Sequence, residues 1–354
     1  MFKFLLYPIS WIYKLVVVFR HKLFDLGILK SKEYDIPIIC VGNITVGGTG
    51  KTPTSELLIA SLKDKYNIAL LSRGYKRKTK GYLEVEINSS YFNVGDEPKQ
   101  IKRKFQDIVV AVCEKRAEGI EMIRKNHSDV NLIILDDGFQ HRYVEPWVNV
   151  VLMDFNRPVY EDSFLPVGNL RDTMSQLHRA NVIIITKCPS NITSIQKRVV
   201  RKYLNMYPYQ SLYFSEVKSQ KPRPIFKGVA PEKITSENKV IALAGIANAE
   251  GFISGLSLGY EIVNKVIYPD HHSYQMRDLR ALSELLKNSD NQTVIVTTEK
   301  DAVKLTNAKQ IPIEIQKSIY YVPIEMEIMD NQKPELLEKL KKYVRENQKY
   351  GLQH

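Results

Sequence analysis

The sequence predicts an α/β protein with a mainly parallel sheet and a second, smaller α/β unit, on three observations. Short apolar runs alternate with helical stretches, a glycine-rich turn follows the first complete run, and a second series begins beyond a polar, proline-containing segment. The runs are Ile36–Val41, Ile68–Leu71, Ile108–Val112, Leu132–Leu135, Val148–Met153 and Val182–Thr186. Uninterrupted apolar runs of this length mark strands buried on both faces, as in parallel sheets covered by helices. Ligands in such folds sit beyond the carboxyl ends of the strands. Each run here gives way at once to polar or glycine-rich residues.

Residues 26–215 are assigned to the first domain. The stretch 214–227 (FSEVKSQKPRPIFK) reads as a connection, and 216–235 is taken as a β-type linker. A second α/β domain, 236–320, is expected from Val240–Ala244 and Val294–Thr298. Ile324–Ile328 alternates like a half-exposed strand placed to pair with the linker. In the remainder of 321–354, Leu336, Leu337, Leu340, Tyr343 and Val344 recur at the spacing of an amphipathic packing helix.

With 354 residues, 44% of them hydrophobic and 25% charged, the chain can bury a core in each of two domains. No internal repeat supports a solenoid or propeller. The net charge of +12 points to polyanionic partners: nucleic acid, an anionic membrane or phosphorylated substrates. The tyrosines do not interleave with a basic stripe, so nucleic acid is not expected. Cys40, Cys113 and Cys188 have neither metal spacing nor a disulfide pattern, which suits a reducing compartment.

Phe4–Phe19 (FLLYPISWIYKLVVVF) is nearly all apolar, with Lys14 inside it and Arg20, His21 and Lys22 after it. A spanning helix needs roughly 20 mostly apolar residues, and a secretory signal needs a small-residue cleavage site. The stretch has neither. With Tyr7, Trp11 and Tyr13 as interfacial aromatics, residues 1–25 are expected to form a helix lying in a membrane interface rather than one packed on the core.

Thr45–Thr52 (TVGGTGKT) lies between a strand and a helix, the order of a P-loop kinase-like domain. Val46, Gly47, Gly48, Thr49, Gly50, Lys51, Thr52 and Pro53 are the nucleotide-binding candidates. Glycines let backbone N–H groups close around phosphate oxygens, the lysine reaches the β- and γ-phosphates, and the Thr52 hydroxyl binds Mg²⁺. The usual pattern has glycine where Thr45 stands, so this is a variant loop. Asp136 and Asp137 follow an apolar run, as metal-holding aspartates do. Asp96 and Glu97 form a second acidic loop, fitted to accept a proton from an attacking hydroxyl. Arg73 and Arg116 follow other strand ends, where they can neutralise a phosphoryl group.

Taken in order, these segments resemble one family. Val46–Pro53, Leu71–Tyr75, Val94–Pro98, Asp136–His141, Leu165–Asp172, Ala244–Ala247, Asp270–Tyr274 and Thr298–Lys304 match the motifs of the tetraacyldisaccharide 4′-kinases of Gram-negative lipid A biosynthesis. The resemblance covers nearly the whole chain. It implies ATP and Mg²⁺ as cofactors, and transfer of the γ-phosphoryl to the 4′-hydroxyl of a lipid disaccharide 1-phosphate, giving lipid IVA. It also implies residence on the cytoplasmic face of the inner membrane, peripheral or monotopic, with no obligate protein partner.

By the same resemblance Asp96 is the general base, and His271 or His272 is its orienting partner. Thr52, one or both of Asp136 and Asp137, and Asp172 are the metal candidates. The family commonly has Glu where Asp172 stands. Lys51, Arg73 and Arg171 complete the catalytic set, and Glu97, Arg116, Gln140 and His141 line the pocket. A membrane-associated ATPase switch is the rival reading. It would need no acceptor base.

Overall fold

The computed structural model describes residues 2–231, 233–290, 292–306 and 311–351. Two sheets organise the chain. The first has nine strands in the order β14-β8-β7-β6-β1-β5-β2-β4-β3. Its central members are β1 (Ile38–Asn43), β2 (Ile68–Ser72), β4 (Val109–Val112), β5 (Leu132–Asp136), β6 (Val148–Asp154), β7 (Val182–Thr186) and β8 (Ser211–Ser219). Neighbours among these seven run parallel. The short β3 (Leu83–Glu84) and β14 (Ile324–Ile328) close the edges antiparallel.

β1, β2, β5, β6 and β7 are buried along their whole length. The helices covering both faces explain why the sequence shows apolar runs there rather than alternation. One face packs against α5 (Arg116–Asn126) and α6 (Ser194–Leu204). The other packs against α2 (Lys51–Leu62), α4 (Asp96–Lys104) and α11 (Lys333–Gly351). A single turn, α3 (Tyr91–Val94), precedes α4.

The second sheet runs β11-β10-β12-β13-β9. It is formed by β9 (Arg223–Pro224), β10 (Lys239–Ala244), β11 (Glu261–Ile267), β12 (Val294–Thr298) and β13 (Ile319–Val322). Its helices are α7 (Ala249–Leu256), α8 (Met276–Lys287), α9 (Glu299–Leu305) and α10 (Ile313–Ser318). Segment 215–219, read from sequence as connection, is the far half of β8 and pairs with β14, from Ser215 opposite Ile328 to Ser219 opposite Ile324. The chain thus leaves the large sheet on β8 and re-enters it on β14, with the smaller sheet between.

The N-terminal helix α1 (Tyr7–Asp25) is docked by polar side chains. Ser10 donates to the Phe164 carbonyl (2.8 Å), Tyr13 to the Arg171 carbonyl (3.2 Å) and Arg20 to the Gln140 carbonyl (3.0 Å). Phe4, Leu5, Ile9, Trp11, Ile12, Leu15, Val16 and Phe19 are exposed. Among the described residues no helix is long and apolar enough to cross a membrane.

Candidate active site

The glycine loop leaves β1 at the point where the sheet's connections diverge to β5 on one side and β6 on the other. Gly47 has φ +96°, and a β-carbon there would approach the Arg157 guanidinium to 3.2 Å. Thr45 is extended instead, bridging antiparallel to Leu170, while the Val46 N–H bonds the Asn169 carbonyl (2.8 Å). That pairing shows why threonine is tolerated where the usual loop has glycine: nothing here needs a left-handed backbone. Thr49 is fully buried. Its hydroxyl accepts from the Asn43 amide (2.7 Å), and its carbonyl accepts from Thr186 (2.9 Å). Lys51, Thr52 and Pro53 open α2, where helix N–H groups and the macrodipole favour an anion.

β5 delivers the paired carboxylates beside this loop, with Asp136 in register with Val41 of β1. Asp136 is buried and accepts from Ser72 (3.2 Å) and Ser55 (3.4 Å). Burial and the neighbouring charges of Glu97 and Asp137 push its pKa up to about 7. Asp137 goes the other way. Burial raises it, but Lys51, 3.9 Å away, and Arg171 outweigh that and hold it at about 2. Arg171 also bonds the Asn43 side chain, tying the 162–172 loop to the base of the phosphate loop.

Arg116 is buried at the start of α5 and donates to the Asp136 carbonyl (3.3 Å). Burial, then Arg116 and the exposed Arg73, depress His141 to about 4, so it is neutral at physiological pH. Gln140 donates to the Asn43 carbonyl (2.7 Å).

The acidic loop lies at the first turn of α4. Gly95 precedes it at φ +92°, with the Gly74 backbone and Tyr75 carbonyl 3.3 Å from where a β-carbon would stand. This close approach brings the Arg73–Tyr75 segment against Asp96. Asp96 is buried, and His271 meets it from the smaller sheet, Nδ1 to Oδ2 at 2.9 Å. Burial alone would raise the Asp96 carboxyl. The His271 hydrogen bond and the Lys300 charge overcome that and hold it at about 2. His271 itself sits at φ +63° and meets the Tyr75 ring edge-on, centroids 5.6 Å apart.

His272 points elsewhere. Its Nε2 bonds Asp278 (2.9 Å) at the start of α8, and its ring stacks on Tyr268 at 4.1 Å. Asp172 is fully buried and committed to other partners: His21 of α1 (2.7 Å), the Thr173 N–H (2.8 Å) and Gln140 (3.4 Å).

Sequence reasoning gave no role to Lys300, which pairs with Glu97 (3.2 Å) and lies 3.8 Å from Asp96. Its signal was present in the Thr298–Lys304 segment, but only the fold brings that helix to α4. Asn43, Ser55 and Ser72 were missed because buried hydroxyls and amides carry no pattern in sequence. Among the described residues no three His, Cys, Asp or Glu side chains form a ready metal cluster.

A phosphate loop at the head of a parallel sheet, an aspartate pair beside its lysine and a buried carboxylate–histidine pair at the start of α4 define a P-loop phosphotransferase. The chain belongs to the Tetraacyldisaccharide-1-P 4′-kinase family, whose model matches residues 2–345. It is 40% identical to a tetraacyldisaccharide 4′-kinase of Bacteroides thetaiotaomicron over 354 residues, covering 97% of this chain and 93% of the relative. It is 42% identical to one of Bacteroides fragilis, covering 98% and 94%. Its fold matches LpxK of Aquifex aeolicus, solved in an "apo" form in complex with ATP, at 28% identity and TM-score 0.79, covering 97% of this chain and 99% of that one.

Proposed function

We propose that this chain is the kinase that transfers the γ-phosphoryl of ATP to the 4′-hydroxyl of tetraacyldisaccharide 1-phosphate, making lipid IVA. Family membership over residues 2–345 carries the reaction and its substrates. The Asp96–His271 pair at 2.9 Å is the observation in the site that favours an acceptor hydroxyl over a bare ATPase switch.

In this reading Lys51 and the N–H groups of Gly47–Thr52 hold the phosphates. Asp96, ionised throughout the neutral range, takes the proton of the 4′-hydroxyl as it attacks in line. His271 orients it, and Lys300 keeps it charged. Arg171 and Arg73 oppose the charge spreading over the transferring oxygens. Lys51 is also held poised by Asp137.

The residues present fit a magnesium ion. Asp136 is driven toward neutrality by burial and by Glu97 and Asp137, a repulsion that a divalent cation would relieve. Mg²⁺ keeps most of its waters and takes only one or two carboxylates plus substrate phosphates, so a three-ligand cage is not required. Thr52 with Asp136 or Asp137 would hold it, and the ion would neutralise phosphate charge. Asp172 is fully buried, with Oδ1 taken by His21 and the Thr173 N–H and Oδ2 by Gln140 at 3.4 Å. It is better read as the residue that locks α1 to the site.

The exposed apolar face of α1 and the charge of +12 suit an anionic membrane surface, from which an acylated acceptor would arrive. We place the chain on the cytoplasmic face of the inner membrane, as two units, 26–215 and 236–320, around one cleft. Labelled ATP, Mg²⁺ and the lipid disaccharide 1-phosphate in mixed micelles test the reaction. Label at the 4′ position is expected, and its absence from a protein that still binds ATP refutes it.

A further inference from the structure

α6 carries an apolar stripe that the core does not use. Its Val200 and Leu204 are buried, but Ile195, Val199 and Tyr203, spaced four residues apart along one face, are 72%, 43% and 55% exposed. The helix contains Lys197, Arg198, Arg201 and Lys202 and no acidic residue. Lys197 is taken by Asp330 (2.6 Å), while Arg198, Arg201 and Lys202 face solvent. An exposed apolar stripe flanked by cations is the pattern of a helix seated in an anionic interface.

Behind the stripe lies a cavity of about 260 Å³, lined by Met153, Phe155, Val159, Ile185, Val199 and Leu204. An apolar cavity of about 150 Å³ stays dry and accepts benzene, so this one has room for a hydrocarbon segment. Two polar groups on its wall are engaged elsewhere. Asp154 is paired with Lys187 (2.7 Å), and the Gln196 oxygen accepts from the Thr193 N–H (2.8 Å). Tyr160 stacks on Tyr203 beside the cavity (4.5 Å). Four residues on, Phe164 receives the Ser10 hydroxyl and packs on Tyr13 of α1 (6.4 Å). One loop, 160–164, therefore touches both the docked side of α1 and the exposed Tyr203 of α6.

We propose that α6 is a second membrane-contacting element. It seats an anionic phospholipid of the bilayer, with the phosphate against Arg198, Arg201 and Lys202 and one acyl chain in the cavity behind Ile195 and Val199. This rests on the reading of the chain as an enzyme working at a lipid surface, but it concerns the bilayer and not the acceptor.

The test uses the full chain with vesicles of phosphatidylcholine alone or mixed with phosphatidylglycerol. Hydrogen exchange at residues 194–204 should slow on the mixed vesicles and not on the neutral ones. The charge-reversed Arg198→Glu/Arg201→Glu/Lys202→Glu variant should partition at least tenfold more weakly, since each near-surface cation multiplies partitioning by about five. Ile195→Ser/Tyr203→Ser, which keeps the charges, should lose protection at 194–204 with melting temperature and ATP binding intact, and it serves if the triple variant misfolds. Unchanged partitioning and exchange in these variants overturns the proposal. Protection of 194–204 by ATP without vesicles also overturns it, by giving the cavity to the nucleotide. A chain that phosphorylates micellar acceptor yet shows no protection of α6 refutes this inference alone; the reverse result refutes the kinase reading alone.

Discussion

Asp96 and His271 lie 175 residues apart in the chain, yet they meet at 2.9 Å. Of the causes that lower the Asp96 pKa, the His271 hydrogen bond is the largest. Replacing His271 by Ala should therefore let the carboxyl rise toward its ordinary value near 4. The acidic limb of the kcat–pH profile should move upward, and kcat should fall by roughly 10²-fold, as loss of a positioned acid–base partner does. His272→Ala should leave kcat within a few-fold and lower the melting temperature, because that ring serves Asp278 and Tyr268. Equal kinetic losses in the two variants would contradict the assignment. The sequence offered both histidines and could not separate them. His271 sits in the turn at φ +63°; histidine is tolerated there, but two adjacent histidines do not show in sequence which one takes that position.

Helices meet in two places that motifs do not record. α1 presents an inverted amphipathic pattern, polar side inward, and His21 completes the shell of the fully buried Asp172. His21→Ala leaves that carboxylate without its shortest bond and should cost about 1–3 kcal/mol, read as a lower denaturant midpoint. Removing residues 1–25 should weaken ATP binding as well as vesicle binding, because Tyr13 and Arg20 bond the backbone of Arg171 and Gln140.

At the meeting of α2, α4 and α9, Lys104 lies between Glu56 (2.6 Å) and Glu299 (3.7 Å). Burial first, then the Glu56 charge, raises Glu299 to about 7. A carboxyl whose folded pKa lies above its unfolded one binds the extra proton in the folded state, so stability falls as pH rises from about 4 through about 7. Glu299→Gln cannot ionise, and its melting temperature should fall several degrees less than the parent's between about pH 5 and about pH 8. Parallel melting curves would remove Glu299 as the cause. Strand existence was legible because two-sided burial forces continuous apolar runs. The exchange of β8 and β14 between connection and sheet was only half legible, since polar residues 216–219 read as linker until β14 pairs with them.

On the scale of the molecule, the net charge of +12 and the outward apolar faces predict binding to anionic vesicles that weakens with salt. Raising ionic strength from about 0.05 to about 0.5 M should reduce partitioning steeply and then level off at the part due to apolar insertion. A binding isotherm indifferent to salt would mean that the basic surplus serves some other purpose.

The sequence by itself determined the sheet, the phosphate loop, the acidic strand exit and the family, because these are written in local periodicity and in short contiguous motifs. Tertiary structure decided which histidine meets Asp96, that Lys300 joins them, that Asp172 serves α1, and that α6 turns apolar residues outward. Each of those depends on side chains far apart in the chain meeting in space, with a burial that no local pattern reports. Thr45 marks the boundary between the two. As a letter it departs from the loop's pattern, and only its bridge to Leu170 explains why the departure is harmless.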